Sequence, residues 1–232
     1  MIKAVFFDWF NTLVYCNPPR ERLWSDVCRR LGYDIDNKVI IRGLFAADCV
    51  LASPPKPGEE NRQDGYFPYP RMIFREAGIP ADDALLERSL EIMKPLLYTG
   101  FTYRLFDDVA PVLNAISASG CKVGVISNAT NETVKVYDEI GLSPLIDMVV
   151  TSEDAGDTKP QPAIFRMALA RAGVEPVEAM HVGDQYEMDT VGALGAGMKA
   201  VLLDRYDISG DYNYQPRIKS LGELLPLLQD GD

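Results

Sequence analysis

Apolar and polar positions follow two different patterns along this chain. From Ala4 to Phe7 the apolar residues stand side by side and stop at Asp8. Short unbroken runs of the same kind recur at Lys122–Ile126, Met148–Thr151, Ala179–Val182 and Lys199–Leu203. Such runs suit strands buried on both faces better than strands with one wet face. Between them, Val109–Ser117, Glu132–Ile140, Pro162–Ala172 and Thr190–Gly195 carry helical patterns, so strand and helix alternate beyond Phe106. That alternation predicts an α/β fold, a parallel sheet with helices on both faces. Residues from about 20 to 98 predict helices without a strong strand: Arg22–Leu31, Val39–Leu51, Tyr69–Ala77 and Ala84–Leu97. The Pro-, Gly- and charge-rich stretch Ala52–Tyr66 cannot continue a helix and reads as a surface loop. Because the strand ending at Asp8 precedes this segment and the other strands follow it, residues 16–98 read as a helical insertion. The α/β core then comprises residues 1–15 and 99–232.

Composition narrows the function classes. A net charge of -11 disfavours attraction to nucleic acid phosphates. No apolar run approaches the roughly 18–20 residues that cross a bilayer, so no membrane partner is expected. The N-terminal run is interrupted by Asp8 and lacks a small-residue cleavage site, which argues against a signal peptide. Cys16, Cys28, Cys49 and Cys121 form no C-x-x-C pair, so reduced thiols in a cytoplasmic protein are the expectation and a zinc site is not. His181 is the only histidine, and no G-x-S-x-G motif accompanies it, which disfavours a serine or cysteine triad.

Candidate chemistry collects at the strand ends. In open α/β sheets ligands bind outside the carboxyl ends of the strands. Asp8 closes the first strand, where a carboxylate can hold a cation, attack phosphorus or carbon, or simply cap a turn. Ser127 and Asn128 close the Lys122–Ile126 strand, Lys159 follows Met148–Thr151, and Asp184 follows Ala179–Val182. Each alone has an ordinary explanation as a cap, a solvated charge or a turn. A carboxylate, a hydroxyl, an ammonium and a second carboxylate at matched strand ends predict a site. Arg20, Arg22, Arg62 and Arg71 are candidates for contact with an anionic substrate, although exposed arginines are commonly just solvated.

The order of these motifs resembles the haloacid dehalogenase (HAD) superfamily. Asp8-Trp9-Phe10-Asn11-Thr12 is similar to its first motif, Ser127-Asn128 to the end of its second, Lys159-Pro160 to its third, and Gly183-Asp184 with Asp189 to its fourth. The resemblance implies a Rossmann-like core with a C1-type helical cap inserted after the first motif. It implies Mg²⁺ held by Asp8, the Phe10 carbonyl and Asp184, with Thr12 and Asp189 behind the ligands. It further implies that Asp8 is the nucleophile, that Ser127 and the Asn128 amide hold phosphoryl oxygens, and that Lys159 neutralises charge. The expected partner is a small anionic molecule, and the expected activity is a Mg²⁺-dependent phosphatase type.

One position departs from that pattern. Phosphatases of the superfamily carry a second Asp two residues after the nucleophile as proton donor, and Phe10 stands there. A phenyl ring cannot transfer a proton. Haloacid dehalogenases place an aromatic residue at this point, so a 2-haloacid dehalogenase-like hydrolase is the alternative, followed by a weakly active phosphate-binding regulatory protein. Gly192-Ala-Leu-Gly-Ala-Gly197 is not a dinucleotide fingerprint, because its glycines fall in the wrong order; close helix–strand packing accounts for it better.

Overall fold

The computed structural model describes residues 1–52, 68–98, 100–210 and 212–229. Its main sheet has six strands in the order β5-β4-β1-β6-β7-β8, every pairing parallel. These are β1 (Ala4–Phe7), β4 (Lys122–Ser127), β5 (Met148–Thr151), β6 (Ala179–Gly183), β7 (Lys199–Leu203) and β8 (Arg217–Ile218). The strands β2 (Val14–Asn17) and β3 (Thr102–Leu105) form a separate two-stranded sheet. β1 lies between β4 and β6, with Phe7 opposite both Val125 and Val182. The strand order therefore reverses at β1, and the crevice of such a sheet opens beside its carboxyl end.

The unbroken apolar strands are explained by helices on both faces. Val5, Phe7, Val125, Val182 and Val201 pack with Val112, Leu113, Ile116 and Leu224, from the helices Val109–Ala118 and Leu224–Gln229. Ala4, Phe6, Ile126, Val150 and Ala200 face Ile164, Phe165, Ala168 and Leu169 of the helix Pro162–Ala172. Alternate residues of one strand thus enter opposite cores, which requires both sets to be apolar.

The chain divides into two compact units, Met1–Tyr15 with Tyr103–Asp232, and Cys16–Thr102. The second has a core of its own, in which Leu23, Trp24, Val27 and Cys28 meet Ile40, Leu44, Ile73, Phe74, Leu86 and Met93. Its helices are Arg20–Arg30, Asn37–Ala52, Pro68–Glu76 and Asp83–Tyr98. Inside this unit Arg20 forms a two-pronged pair with Asp48 at 2.9 and 2.7 Å, and the Tyr69 hydroxyl donates to the same carboxylate at 2.9 Å. Its charge is thus met within the unit rather than left to the solvent. Arg71 lies 3.6 Å from Asp83 at the surface, a weak arrangement. Arg62 and, apart from Ala52, the loop Ala52–Tyr66 lie outside the described residues.

Three local expectations need correction. The strands β2, β3 and β8 were not legible in the pattern: β3 and β8 carry no apolar run, and in β2 the run Val14–Cys16 is only three residues long. The helix expected over Glu132–Ile140 is instead two single turns, Asn131–Val134 and Val136–Glu139, interrupted at Lys135. Thr133, Val134 and Val136 are β-branched, which weakens a continuous helix here. The segment expected to start a helix at Thr190 begins earlier, as a widened π-type turn over Tyr186–Val191 followed by Gly192–Gly195. The close packing expected around Gly192 is against the Phe165 ring and Pro160, since an added Cβ would stand 2.7 Å from that ring and 3.0 Å from the Pro160 backbone. Gly192 thus abuts the helix Pro162–Ala172 and the Pro160 before it, while the turn Gly192–Gly195 also packs on the strand β7, as expected. Among the described residues, no helix is long and apolar enough to cross a membrane.

Candidate active site

Asp8 leaves β1 with its backbone N–H donating to the Val182 carbonyl at 2.9 Å, so strand pairing continues to the nucleophile candidate itself. The chain then turns sharply. Leu13 and Val14 donate to the Trp9 carbonyl, and Asn11 adopts a left-handed conformation at φ 60°. Asparagine tolerates that region better than most residues. The turn carries Thr12 back toward β6, where its hydroxyl donates to Asp184 Oδ1 at 3.5 Å, the long limit of a hydrogen bond.

Lys159 is the electrostatic centre. Its ammonium lies 2.5 Å from Asp8 Oδ1 and 2.6 Å from Asp189 Oδ1, with only 3% of the residue exposed. Burial opposes its charge, but the carboxylates of Asp189 and Asp8 outweigh burial and hold its pKa above the ordinary lysine range. Burial likewise works against Asp189, yet Lys159's charge and the His181 hydrogen bond keep that carboxyl well below its usual range. Burial pushes the Asp8 pKa up, to about 6, against the pull of Lys159.

The wide turn after β6 exists around Asp189. Asp189 Oδ2 accepts the Gln185 N–H at 3.0 Å, Oδ1 meets His181 Nε2 at 2.9 Å, and the Asp189 N–H returns to the Gln185 carbonyl at 2.8 Å. Gly183 leaves room for this carboxylate, because a Cβ there would stand 2.2 Å from Asp189 Cγ. One carboxylate oxygen from each of Asp8, Asp184 and Asp189 lies within 4.8 Å of the others, and all three residues are buried.

The residues singled out from sequence fall as follows. Asp8, Lys159, Asp184 and Asp189 converge, and Thr12 joins them through Asp184. Ser127 is buried at the end of β4. Asn128 has an additional task for its side chain, which binds both backbone polar groups of Lys159. The Phe10 ring lies edge-on to Tyr103, centroids 6.3 Å apart. Sequence reasoning missed three contributors. Arg205 grips Asp108 with both terminal nitrogens, at 2.9 and 2.8 Å, and its second one also donates to the Thr12 carbonyl at 2.9 Å. Tyr137, fully buried, stacks on Trp9 with centroids 5.5 Å apart. His181 sits behind Asp189. Only the sole-histidine count drew attention to it, and nothing in the sequence signals the other two.

A strand-end carboxylate neighbouring a buried lysine and two further acids, on a doubly covered parallel sheet, defines a hydrolase core of the Rossmann-like α/β class. The chain belongs to the haloacid dehalogenase-like hydrolase family, whose sequence profile matches residues 2–197. A mouse relative, haloacid dehalogenase-like hydrolase domain-containing protein 3, is 35% identical over 160 residues, covering 67% of this chain and 63% of that protein. The chain thus matches just under two thirds of the mouse protein's length. The glyceraldehyde 3-phosphate phosphatase of Methanopyrus kandleri is 37% identical over 212 residues, covering 88% of this chain and 85% of its own. Among solved structures, a HAD phosphatase from Thermococcus onnurineus superposes with a TM-score of 0.60 at 26% identity, covering 98% of both chains.

Proposed function

We propose that this hydrolase removes phosphate from a small phosphorylated metabolite with the help of Mg²⁺, through an aspartyl-phosphate on Asp8. The observation that carries the proposal is the charge balance of the site. Three buried carboxylates face one ammonium, which leaves an excess of two negative charges away from water. Uncompensated buried charge is strongly unfavourable, and a hard divalent cation with oxygen ligands would offset it. The residues therefore fit Mg²⁺, with Asp8, Asp184 and the Phe10 carbonyl as its ligands and Thr12 and Asp189 supporting them. When bound, the ion would reduce repulsion between Asp8 and an anionic phosphate and stabilise charge on the transferring group.

The chain's own residues supply the remaining chemistry. An Asp8 oxygen attacks phosphorus as the bond to the leaving oxygen breaks, giving the free alcohol and an acyl phosphate. Ser127, the Asn128 amide and Lys159 bind the phosphoryl oxygens as their charge develops. Water then attacks phosphorus, releasing phosphate and restoring Asp8. Phe10 contributes no proton, so the leaving alkoxide takes one from water, and esters with good leaving groups are favoured. The inserted unit Cys16–Thr102 is a C1-type cap by its position between the first and second motifs, and it would supply substrate specificity. The phosphatase names of the Methanopyrus and Thermococcus relatives support the same reading.

Phe10 favours a second reading, a 2-haloacid dehalogenase-like hydrolase, because halide leaves without a proton. A screen of phosphate monoesters, acyl phosphates and 2-haloacids, with and without Mg²⁺, separates the two. Phosphate release that requires Mg²⁺ and vanishes in Asp8→Asn is expected. Halide release without metal would overturn the proposal.

A further inference from the structure

The chain's only histidine is buried under the site with no evident reason to be a histidine. His181 points from β6 toward the side of the sheet covered by the helix Pro162–Ala172, and its ring meets Phe165 edge-on with centroids 5.4 Å apart. An apolar side chain would fill such a place without leaving a polar atom behind. Here Nδ1 is buried without a hydrogen-bond partner among the described residues. Nε2, in contrast, lies 2.9 Å from Asp189 Oδ1.

We infer that His181 is a positioning residue that donates its Nε2 hydrogen to Asp189 and so sets how Lys159 divides its charge between Asp189 and Asp8. The chemistry of the partners fixes the direction of the bond. Asp189 takes a hydrogen bond from an ammonium and another from the Gln185 N–H, so it is an ionised acceptor. The hydrogen between it and His181 must then sit on Nε2, and burial disfavours a second one on Nδ1. Oδ1 is the oxygen shared by His181 and Lys159. With His181 donating, this oxygen is held facing the lysine while Oδ2 is held by Gln185. Lys159 is thereby shared between two carboxylates, 2.5 Å from Asp8 Oδ1 and 2.6 Å from Asp189 Oδ1, instead of pairing with Asp8 alone. A lysine whose charge was met by Asp8 alone would be bound more tightly to the attacking carboxylate and be less free to meet the incoming phosphate. The ring therefore acts through Asp189 and Lys159 and does not itself touch substrate.

The kinetic part of this inference rests on the phosphatase reading, whereas its structural part does not. Two measurements keep them apart. The first is the ring's tautomer, read from long-range ¹H–¹⁵N spectra of protein labelled in histidine, where a single residue gives an unambiguous signal. A neutral ring with hydrogen on Nε2 is expected. Hydrogen on Nδ1 or a doubly protonated ring at neutral pH would overturn the inference, whatever substrate the enzyme uses.

The second measurement compares His181→Phe with His181→Gln, with folding followed by thermal melting. Phenylalanine keeps the ring's shape and loses the donor; glutamine loses the ring and keeps a donor near the Nε2 position. Loss of a supporting hydrogen bond behind a reactive group typically costs roughly 10–100-fold in activity. A fall of that size in kcat for His181→Phe, with KM little changed and with substantial recovery in His181→Gln, is expected. A packing role predicts the opposite order, with phenylalanine benign and glutamine harmful, and that order would overturn the inference. If His181→Phe does not fold, a folded His181→Gln that retains most of kcat supports the donor role, and one that loses it refutes it. If the wild type hydrolyses no phosphate ester, the phosphatase proposal fails and the tautomer alone decides His181.

Discussion

The Asn128 side chain binds Lys159 by its backbone. The Lys159 N–H donates to Asn128 Oδ1 at 2.7 Å, and Asn128 Nδ2 donates to the Lys159 carbonyl at 3.1 Å. This reciprocal pair ties a loop residue to the end of β4, the strand beside Asp8's own. Side-chain amides can hold a backbone in this way because they present one donor and one acceptor side by side. Asn128→Ala should therefore loosen Lys159 without removing any charge. Small misplacements at a reacting centre can cost on the order of 10²-fold, and a fall of that order in kcat/KM is expected. Asn128→Asp, which keeps the acceptor and loses the donor, should fall between the two in steady-state assays. Unchanged kinetics in Asn128→Ala would show that the loop holds Lys159 by other means.

Asp184→Ala tests the cation. Removing one of the clustered carboxylates takes away an anionic oxygen ligand and part of the charge excess that a divalent cation offsets. Calorimetric titration of metal-stripped protein should show Mg²⁺ binding weakened by at least about 10-fold, in the range seen when metal-site support is lost. An unaltered titration would put the ion elsewhere.

Phe10→Asp tests the missing proton donor. General acid–base help is worth about 10²–10⁴-fold, so a gain of roughly 10-fold or more is expected on an ester with a poor leaving group. On p-nitrophenyl phosphate, whose leaving group needs little protonation, the gain should be much smaller. The ratio between the substrates carries the test, since changes in folding and metal affinity cancel from it. The half-buried phenyl ring packs near Trp9 and Tyr103, so a melting curve must accompany the assay. Equal gains on both esters, or none, would remove proton donation as the limiting defect.

The clamp between Arg205 and Asp108 should appear in the pH dependence of stability. Burial raises the Asp108 pKa, but hydrogen bonds from Arg205 and the Leu221 N–H outweigh it and bring the net value below the ordinary 3.8. A carboxyl depressed in this way stabilises the folded state above its unfolded value. That contribution is lost as pH falls through the folded value. Asp108→Asn should be less stable than wild type near neutrality, and the gap should narrow as pH drops below about 3.8. Denaturant titrations across that window check it; a gap that stays constant would mean that Asp108 acts through packing alone.

Chain order and local chemistry already determined much of this protein. The buried strands were legible because residues covered on both faces must be apolar at every position, as Val5, Phe6 and Phe7 are. Asp8, Ser127, Lys159 and Asp184 were legible because each interrupts or follows such a run, and parallel strands deliver their ends to the same edge. Tertiary structure alone decided how these groups divide their charge. Asp189, expected behind the ligands, shares the Lys159 ammonium with Asp8, at 2.6 and 2.5 Å, and is itself held by His181 and by the Gln185 N–H, while burial raises the pKa of Asp8. His181 and Asp189 are close in the chain, but a strand and a wide turn usually separate such residues, and only the particular path through Gly183 folds one back on the other. Arg205 and Thr12 lie far apart along the chain and meet because β7 and the turn after β1 end near each other. No spacing rule links such pairs, because their distance is set by the packing of whole strands and not by the periodicity of any one segment.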